Sequence, residues 1–385
     1  MKNVYFDNNA TTAVAPEVIE AMAPYFKDQW GNPSSMHAFG GGVKKGIDEA
    51  RQKVAELIHA DPSEILFTSC GTESDNTAIR GGTEAVSDRL NLITTRVEHP
   101  AVLGPCRYLG ERGHRVFEIN VDASGQVDIV QLGAALRDGP ALVSIMWANN
   151  ETGVIFPIPE IAAMVKAAGG VMHTDAVQAV GKIPIDVRKV PVDMLSLSGH
   201  KLHAPKGIGV LYVRKGTRLQ PFMLGGHQED NRRGGTENVP YIVGLGCAAE
   251  LAQRHMADEI NTVAALRDRL EAGLLAVCPD SRVNGDRAHR LPNTTNISFE
   301  YIEGESILYM MSDVGIAASS GSACTSGSLE PSHVLRAMGV PFTAVHGSVR
   351  FSLSRYTTAE DVDYAVKQLP PIIAKLRAIS PFVKK

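Results

Sequence analysis

The feature that most constrains this chain is a serial alternation of short apolar runs with helical stretches between Ile65 and Val213. The runs Ile65-Leu66-Phe67, Leu92-Ile93-Thr94, Val116-Phe117-Glu118-Ile119, Leu142-Val143-Ser144-Ile145-Met146, the stretch opening at Val171 and Ile208 to Val213 are each of strand length. Strands separated by helices need crossover connections, and these build a largely parallel sheet. In such sheets ligands bind beyond the carboxyl ends of the strands. Gly71-Thr72, His99, Asn149-Asn150, Asp175 and Ser198 to Lys201 each come just after a predicted strand, so one sheet edge can gather them.

The flanks read differently. Asp7-Asn8-Asn9-Ala10-Thr11-Thr12 is rich in side chains that bond their own backbone, which predicts an ordered, irregular arm. A first helix is expected from Pro16, then a loop over Gly31-Asn32-Pro33-Ser34-Ser35. Val43, Ile47, Ala50, Val54, Leu57 and Ile58 recur at helical steps and stop at Asp61-Pro62. Helices are expected from about Val239 to Val277. Asn296 to Phe299, a helix from about Ser306 to Met311, the strand Val349 to Leu353 and a last helix after Thr358 make a second, shorter α+β set. At 385 residues two domains are the default. We place a large domain over 15–257 and a small one over 1–14 and 258–385, the arm packing with the latter.

Composition narrows the function by exclusion. With 44% hydrophobic and 21% charged residues and a formal charge of -4, the chain has no basic footprint for nucleic acid. No stretch approaches the roughly 18 apolar residues of a spanning helix, and none near the start serves as a signal-peptide core. Neither a membrane nor a nucleic acid is expected as a partner, and the cytoplasm is the expected location.

Chemistry concentrates between Val171 and Lys201. A strand ending in Asp175, with Gln178 just beyond, and Ser198-Gly199-His200-Lys201 offer a carboxylate and an amine. A pyridoxal phosphate (PLP) site needs this pair: a lysine to hold the cofactor as a Schiff base, and an acid for its ring nitrogen. Singly, Lys201 also reads as a solvated surface lysine and Asp175 as a helix cap. Gly71-Thr72-Glu73-Ser74 opens a helix after a strand, as a phosphate cradle does, though plain capping gives the same pattern. Ser198 and His200 add donors to the same phosphate. His99, held out of regular helix by Pro100, suits stacking and proton transfer, or is a structural histidine. Asn150 and Gln178 supply amides for the ring oxygen, or merely form turns. Arg350 suits a substrate carboxylate or an ion pair.

Five cysteines in an odd, scattered set argue against disulfides and cysteine zinc sites. Cys324 stands apart. It sits in Ser319 to Ser328, a Gly/Ser-rich run with almost no apolar bulk, which is a tether composition. A thiol on such a loop, about 319–332, can collect a group inside a pocket and carry it out. Cys70 heads a predicted helix, where a thiol pKa can be lowered, and has no such route.

Taken together, Phe6 to Thr12, Thr68 to Asn76, Glu98-His99, Asn149 to Val154, His173 to Gln178, Ser198 to Lys201 and Ser322-Ala323-Cys324 resemble the group I cysteine desulfurases over essentially the whole chain. Cys324 to His333 is most similar to the NifS branch, rather than the IscS branch. The resemblance implies a fold-type I, aspartate aminotransferase-like PLP enzyme and a homodimer with sites at the subunit interface. It implies Lys201 as Schiff-base lysine, Cys324 as persulfide-forming nucleophile, His99 on the ring, Asp175 at its nitrogen, and Asn150 and Gln178 at its oxygen. Gly71, Thr72, Ser198 and His200 would hold the phosphate, with Thr236 donated across the dimer. Arg350, with Asn32 as companion, would take the carboxylate of L-cysteine. The implied acceptor of sulfur is a NifU-like iron–sulfur scaffold, with nitrogenase as the client, and the family also allows Cys324 to ligate an iron–sulfur cluster shared with a partner. The competing readings are an IscS-type housekeeping desulfurase, a selenocysteine lyase, an aminotransferase, and a silent sulfur-carrier or scaffold.

Overall fold

The computed structural model describes residues 2–86, 91–139, 141–320 and 331–382. Twelve strands are present among them: β1 (Val4–Tyr5), β2 (Ile65–Thr68), β3 (Asn91–Thr95), β4 (Val116–Ile119), β5 (Ala141–Ser144), β6 (Val171–Asp175), β7 (Met194–Ser198), β8 (Gly209–Val213), β9 (Ser281–Val283), β10 (Thr294–Phe299), β11 (Ile316–Ala317) and β12 (Ser348–Ser352). Seven of them form the main sheet in the order β2-β8-β7-β6-β5-β3-β4. Six run the same way and β8 alone is antiparallel to both neighbours, with Leu66 opposite Leu211 and Leu195 opposite Tyr212. The fold is α/β, as expected. Strands β2, β5, β7 and β8 are buried at every position, which is why β2, β5 and β8 read as continuous apolar runs rather than alternating ones; β7, Met-Leu-Ser-Leu-Ser, alternates although it is buried throughout.

Helices cover the sheet. In helix Ala38–Ile58 the predicted stripe is buried, from Val43 and Ile47 to Leu57 and Ile58. His59, at φ +58°, ends it in the left-handed region, and Asp61 caps the next turn by accepting from Ser63 N. This helix packs against helix Val239–Arg254. Gly246 makes the approach possible, since a Cβ there would lie 2.6 Å from Ala50 Cα.

Hydrophobic burial falls into one large cluster around the main sheet, a smaller satellite, and a second cluster built on β10, β12 and helices Ala264–Val277 and Ala359–Ile379. The helical run after Val239 changes allegiance along its length: Leu251 and Ala252 pack in the large cluster, Val263 and Leu270 in the second. The amino-terminal arm joins the second cluster through Val4 and Phe6, and β1 pairs in parallel with β11. Val334, Leu335, Met338 and Val345, although late in the chain, pack with the large cluster. Among the described residues no helix is long and apolar enough to cross a membrane.

Candidate active site

The carboxyl ends of β2, β6 and β7, together with the arm, enclose a cavity of about 260 Å³. Its walls bring together Gly71, Thr72, His99, Asn150, Asp175, Gln178, Ser198, His200, Lys201 and Arg350. Ten of the residues singled out in the sequence thus converge, although they span 280 positions of chain from Gly71 to Arg350.

Each is positioned by its element. Lys201 closes the single turn Gly199–Lys201 after β7, and its Nζ donates to the carbonyls of Asn9 at 2.6 Å and Ala10 at 2.7 Å. Asp175 ends β6 and accepts from Val177 N at 2.9 Å. Burial pushes its pKa up to about 6, against the pull of that N–H and of Lys201. His99 caps helix Pro100–Gly110 by accepting from Ala101 N through Nδ1 at 3.1 Å, which assigns its proton to Nε2. Desolvation, then Lys201 and His333, lower its pKa to about 4, so it is neutral at physiological pH. His200 is likewise lowered to about 4, chiefly by burial, and its Nδ1 lies 3.2 Å from Thr11 Oγ1.

Arg350 on β12 is 2% exposed, so it is a built element of the wall. It donates to Asn150 O at 3.0 Å and Asp7 Oδ1 at 2.8 Å, and its Nε has no partner. The ion-pair reading of this residue is therefore met alongside its place in the cavity. The remaining candidates lie elsewhere. Asn32 is exposed and its Oδ1 accepts from Ser34 N at 2.9 Å, so its carbonyl is committed to a local turn. Thr236 is exposed and does not line the cavity. Cys324 lies outside the described residues. The chain on either side of it is at the cavity's edge: Ser319 exchanges main-chain hydrogen bonds with Arg350, while His333 Nε2 lies 3.0 Å from Glu98 O.

Sequence reasoning missed Asn9 and Ala10, which hold Lys201 through backbone carbonyls and so carry no side-chain signature. The Asn9 carbonyl also accepts from Gln178 Nε2 at 3.0 Å. Asp7, Asp75 and Cys70 were missed as members of this neighbourhood too, and only the polar density of the arm hinted at the first.

The donor set fits PLP. Gln178 Oε1 and Ser198 Oγ are buried without partners, as befits groups awaiting a polar ligand. The first turn of helix Gly71–Asn76 offers free N–H groups, and Gly71 leaves its mouth open. An amine, a carboxylate and a neutral imidazole face the same volume. Among the described residues no cluster of three or more His, Cys, Asp or Glu suits a metal ion.

Fold and site together define a cofactor-dependent enzyme of the class-V aminotransferase family, to which the chain belongs: the family model, Aminotransferase class-V, matches residues 4–365. Within it the chain is a member of the NifS/IscS group of cysteine desulfurases. It is 59% identical to cysteine desulfurase NifS of Azotobacter vinelandii over 383 residues, covering 99% of this chain and 95% of that protein. A solved NifS-like protein superposes with a TM-score of 0.91 at 39% identity, covering 97% of this chain and all of that one. SspA, solved in complex with cysteine, gives a TM-score of 0.82 at 36% identity over 92% of this chain and all of its own.

Proposed function

We propose that this protein is a PLP-dependent cysteine desulfurase that converts L-cysteine to L-alanine and passes the sulfur, as a persulfide on Cys324, to iron–sulfur cluster assembly for nitrogenase. The observation that carries it is the single cavity uniting the Lys201 amine, the Asp175 carboxylate and the His99 imidazole. The 59% identity to cysteine desulfurase NifS supports the substrate and the branch.

In this reading Lys201 holds the cofactor, Asp175 faces its ring nitrogen, His99 lies on its face, and Asn150 and Gln178 flank its oxygen. Gly71, Thr72, Ser198 and His200 cradle the phosphate. Bound there, PLP supplies an electron sink for the bonds around the substrate α-carbon. Arg350 exchanges its Asp7 partner for the substrate carboxylate and so orients the amino acid. The Lys201 amine takes the α-proton, and a proton is returned to the β-carbon as the sulfur departs. Neutral His99 holds its proton at Nε2 and would be a donor to the groups that need one as the sulfur departs. The Cys324 thiolate attacks the substrate sulfur: the C–S bond breaks, an S–S bond forms, and cysteine plus thiol become alanine plus persulfide. Sulfur is oxidised as carbon is reduced, so no outside oxidant is required.

Thr236 is exposed and off the lining of its own cavity, and in this reading it serves the phosphate of a second copy of the chain, in a homodimer. A NifU-like scaffold is the proposed sulfur acceptor. The test is a product assay with L-cysteine and a reductant, measuring alanine and sulfide together. Wild type should yield both in equal amount; Cys324→Ala should stay yellow and lose sulfide, and Lys201→Ala should lose the yellow colour. A keto acid in place of alanine, or sulfide release by Cys324→Ala, overturns the reading.

A further inference from the structure

The cavity wall holds a buried acid that the proposed chemistry leaves unused. Asp75, in helix Gly71–Asn76, is 1% exposed and lines the same cavity as Asp175. Its Oδ1 has no hydrogen-bond partner, and His173 Nε2 is 3.6 Å away. That imidazole is already engaged at both nitrogens, by Ser144 Oγ at 2.8 Å and Ser196 Oγ at 2.9 Å, and burial lowers its pKa to about 3. It is neutral and brings no charge to Asp75. The titratable groups acting most strongly on Asp75 are Asp175 on β6, Glu98 beyond β3 and Cys70 at the head of its own helix, and Cys106 in helix Pro100–Gly110 also faces it. The Lys201 amine lines the same cavity, and it is hydrogen-bonded to the carbonyls of Asn9 and Ala10. An ionised carboxylate buried this way costs several kcal/mol, which protonation removes.

We propose that Asp75 is a carboxylic acid rather than a carboxylate at working pH, and that it is a positioning residue which leaves Asp175 the single anion opposite the cofactor's ring nitrogen. The inference rests on the placement of Asp175 given above. Burial, then repulsion by Asp175, raise the Asp75 carboxyl well above the usual carboxylate range, and the Ser196 hydroxyl only partly offsets them. Asp175 keeps the anionic role because Val177 N–H and Lys201 both favour its charged form. One anion against one protonated ring nitrogen leaves the buried cluster neutral, whereas a second carboxylate would leave an uncompensated charge.

The holoenzymes of Asp75→Asn and Asp75→Leu test this. Three readouts serve: the pH titration of the bound cofactor's visible absorption, the rate of cofactor loss on dialysis, and the infrared band of a buried protonated carboxyl. Asn is neutral and can donate, so its titration midpoint should stay within about 0.3 pH of wild type. Leu should lose cofactor about tenfold faster, the size of one lost hydrogen bond. The infrared band should be stronger in wild type than in Asp75→Asn, the part left in the variant belonging to Glu98, whose carboxyl burial pushes up to about 8. A midpoint displaced by about one pH unit in Asp75→Asn, a Leu variant like wild type, or an unchanged band overturns the proposal. Should the Leu variant not fold, the Asn titration and the band decide. Asp175→Asn is the control: if it leaves the titration where it was, the placement of Asp175 has failed rather than that of Asp75.

Discussion

A methyl group on Gly71 would lie 2.9 Å from Val177 Cγ2 and 3.3 Å from Ser198 Cβ. Val177 is β-branched and stiff, so the clash is relieved by moving the chain rather than a side chain. The displaced groups, Ser198 and the first turn of the helix, are those proposed to hold phosphate. Gly71→Ala should therefore weaken cofactor binding at least about tenfold, beyond the roughly 1–3 kcal/mol of an overpacked site in stability. Titrating apoprotein with PLP, read by absorbance, checks it; unchanged affinity would remove Gly71 from the cradle. The glycine and histidine of this site were legible because each follows a run read as a buried strand, the acid because it ends one, and the lysine because Ser198-Gly199-His200-Lys201 closes the same stretch. Asp75 was not, because an acid in the first turns of a helix has an ordinary dipole explanation, and its burial depends on β6 and β7 packing over it. The described cysteines divide similarly: Cys106 and Cys278 are buried and Cys247 half-buried, while Cys70 lines the cavity.

Elements hold these residues by a few well-made ties, and the loop carrying Thr236 shows what they offset. Glu229, Asp230 and Asn231 follow one another at φ +49°, +56° and +65°, a conformation costing non-glycine residues roughly 1–2 kcal/mol each. The Glu229 carboxylate offsets that strain, accepting from Arg51 through both oxygens at 2.9 and 2.7 Å and from Phe67 N at 3.0 Å. Arg51→Ala leaves the carboxylate buried with no cation and only the Phe67 N–H as donor, a loss of up to about 3–5 kcal/mol. The expected result is faster proteolytic cleavage between 223 and 237 with the main sheet still protected in hydrogen exchange; a loop as resistant as wild type would show the tie to be idle. Such ties, and the reversed direction of β8, had no signal in the sequence. An apolar run marks a buried strand but not its direction, and the two-residue pair β1–β11 is too short to have a period.

At the scale of the whole molecule, the two main clusters meet across a pair of buried, opposite charges. Lys182, 5% exposed, donates to Gln178 O at 3.2 Å, and Glu259, 6% exposed, has one carboxylate oxygen unpartnered; both line a small void between the clusters with Arg355 and His203. Burial lowers the Lys182 pKa to about 8, only partly countered by Glu259. The unfolded chain holds its lysine protons to about pH 10.4, so between pH 8 and that value it binds more protons than the folded one. Stability contributed at this position must then rise with pH through that window, by up to about 3 kcal/mol, and stay flat below it. Lys182→Met has no proton to release. Melting temperatures of the two proteins, measured from pH 7 to 10.5, should show wild type gaining on the variant only above pH 8, with the upward shifts of Cys106 and Tyr212 common to both and cancelling in the difference. A difference constant across the whole range would mean that Lys182 reaches solvent, and that the clusters meet less tightly than the buried pair implies.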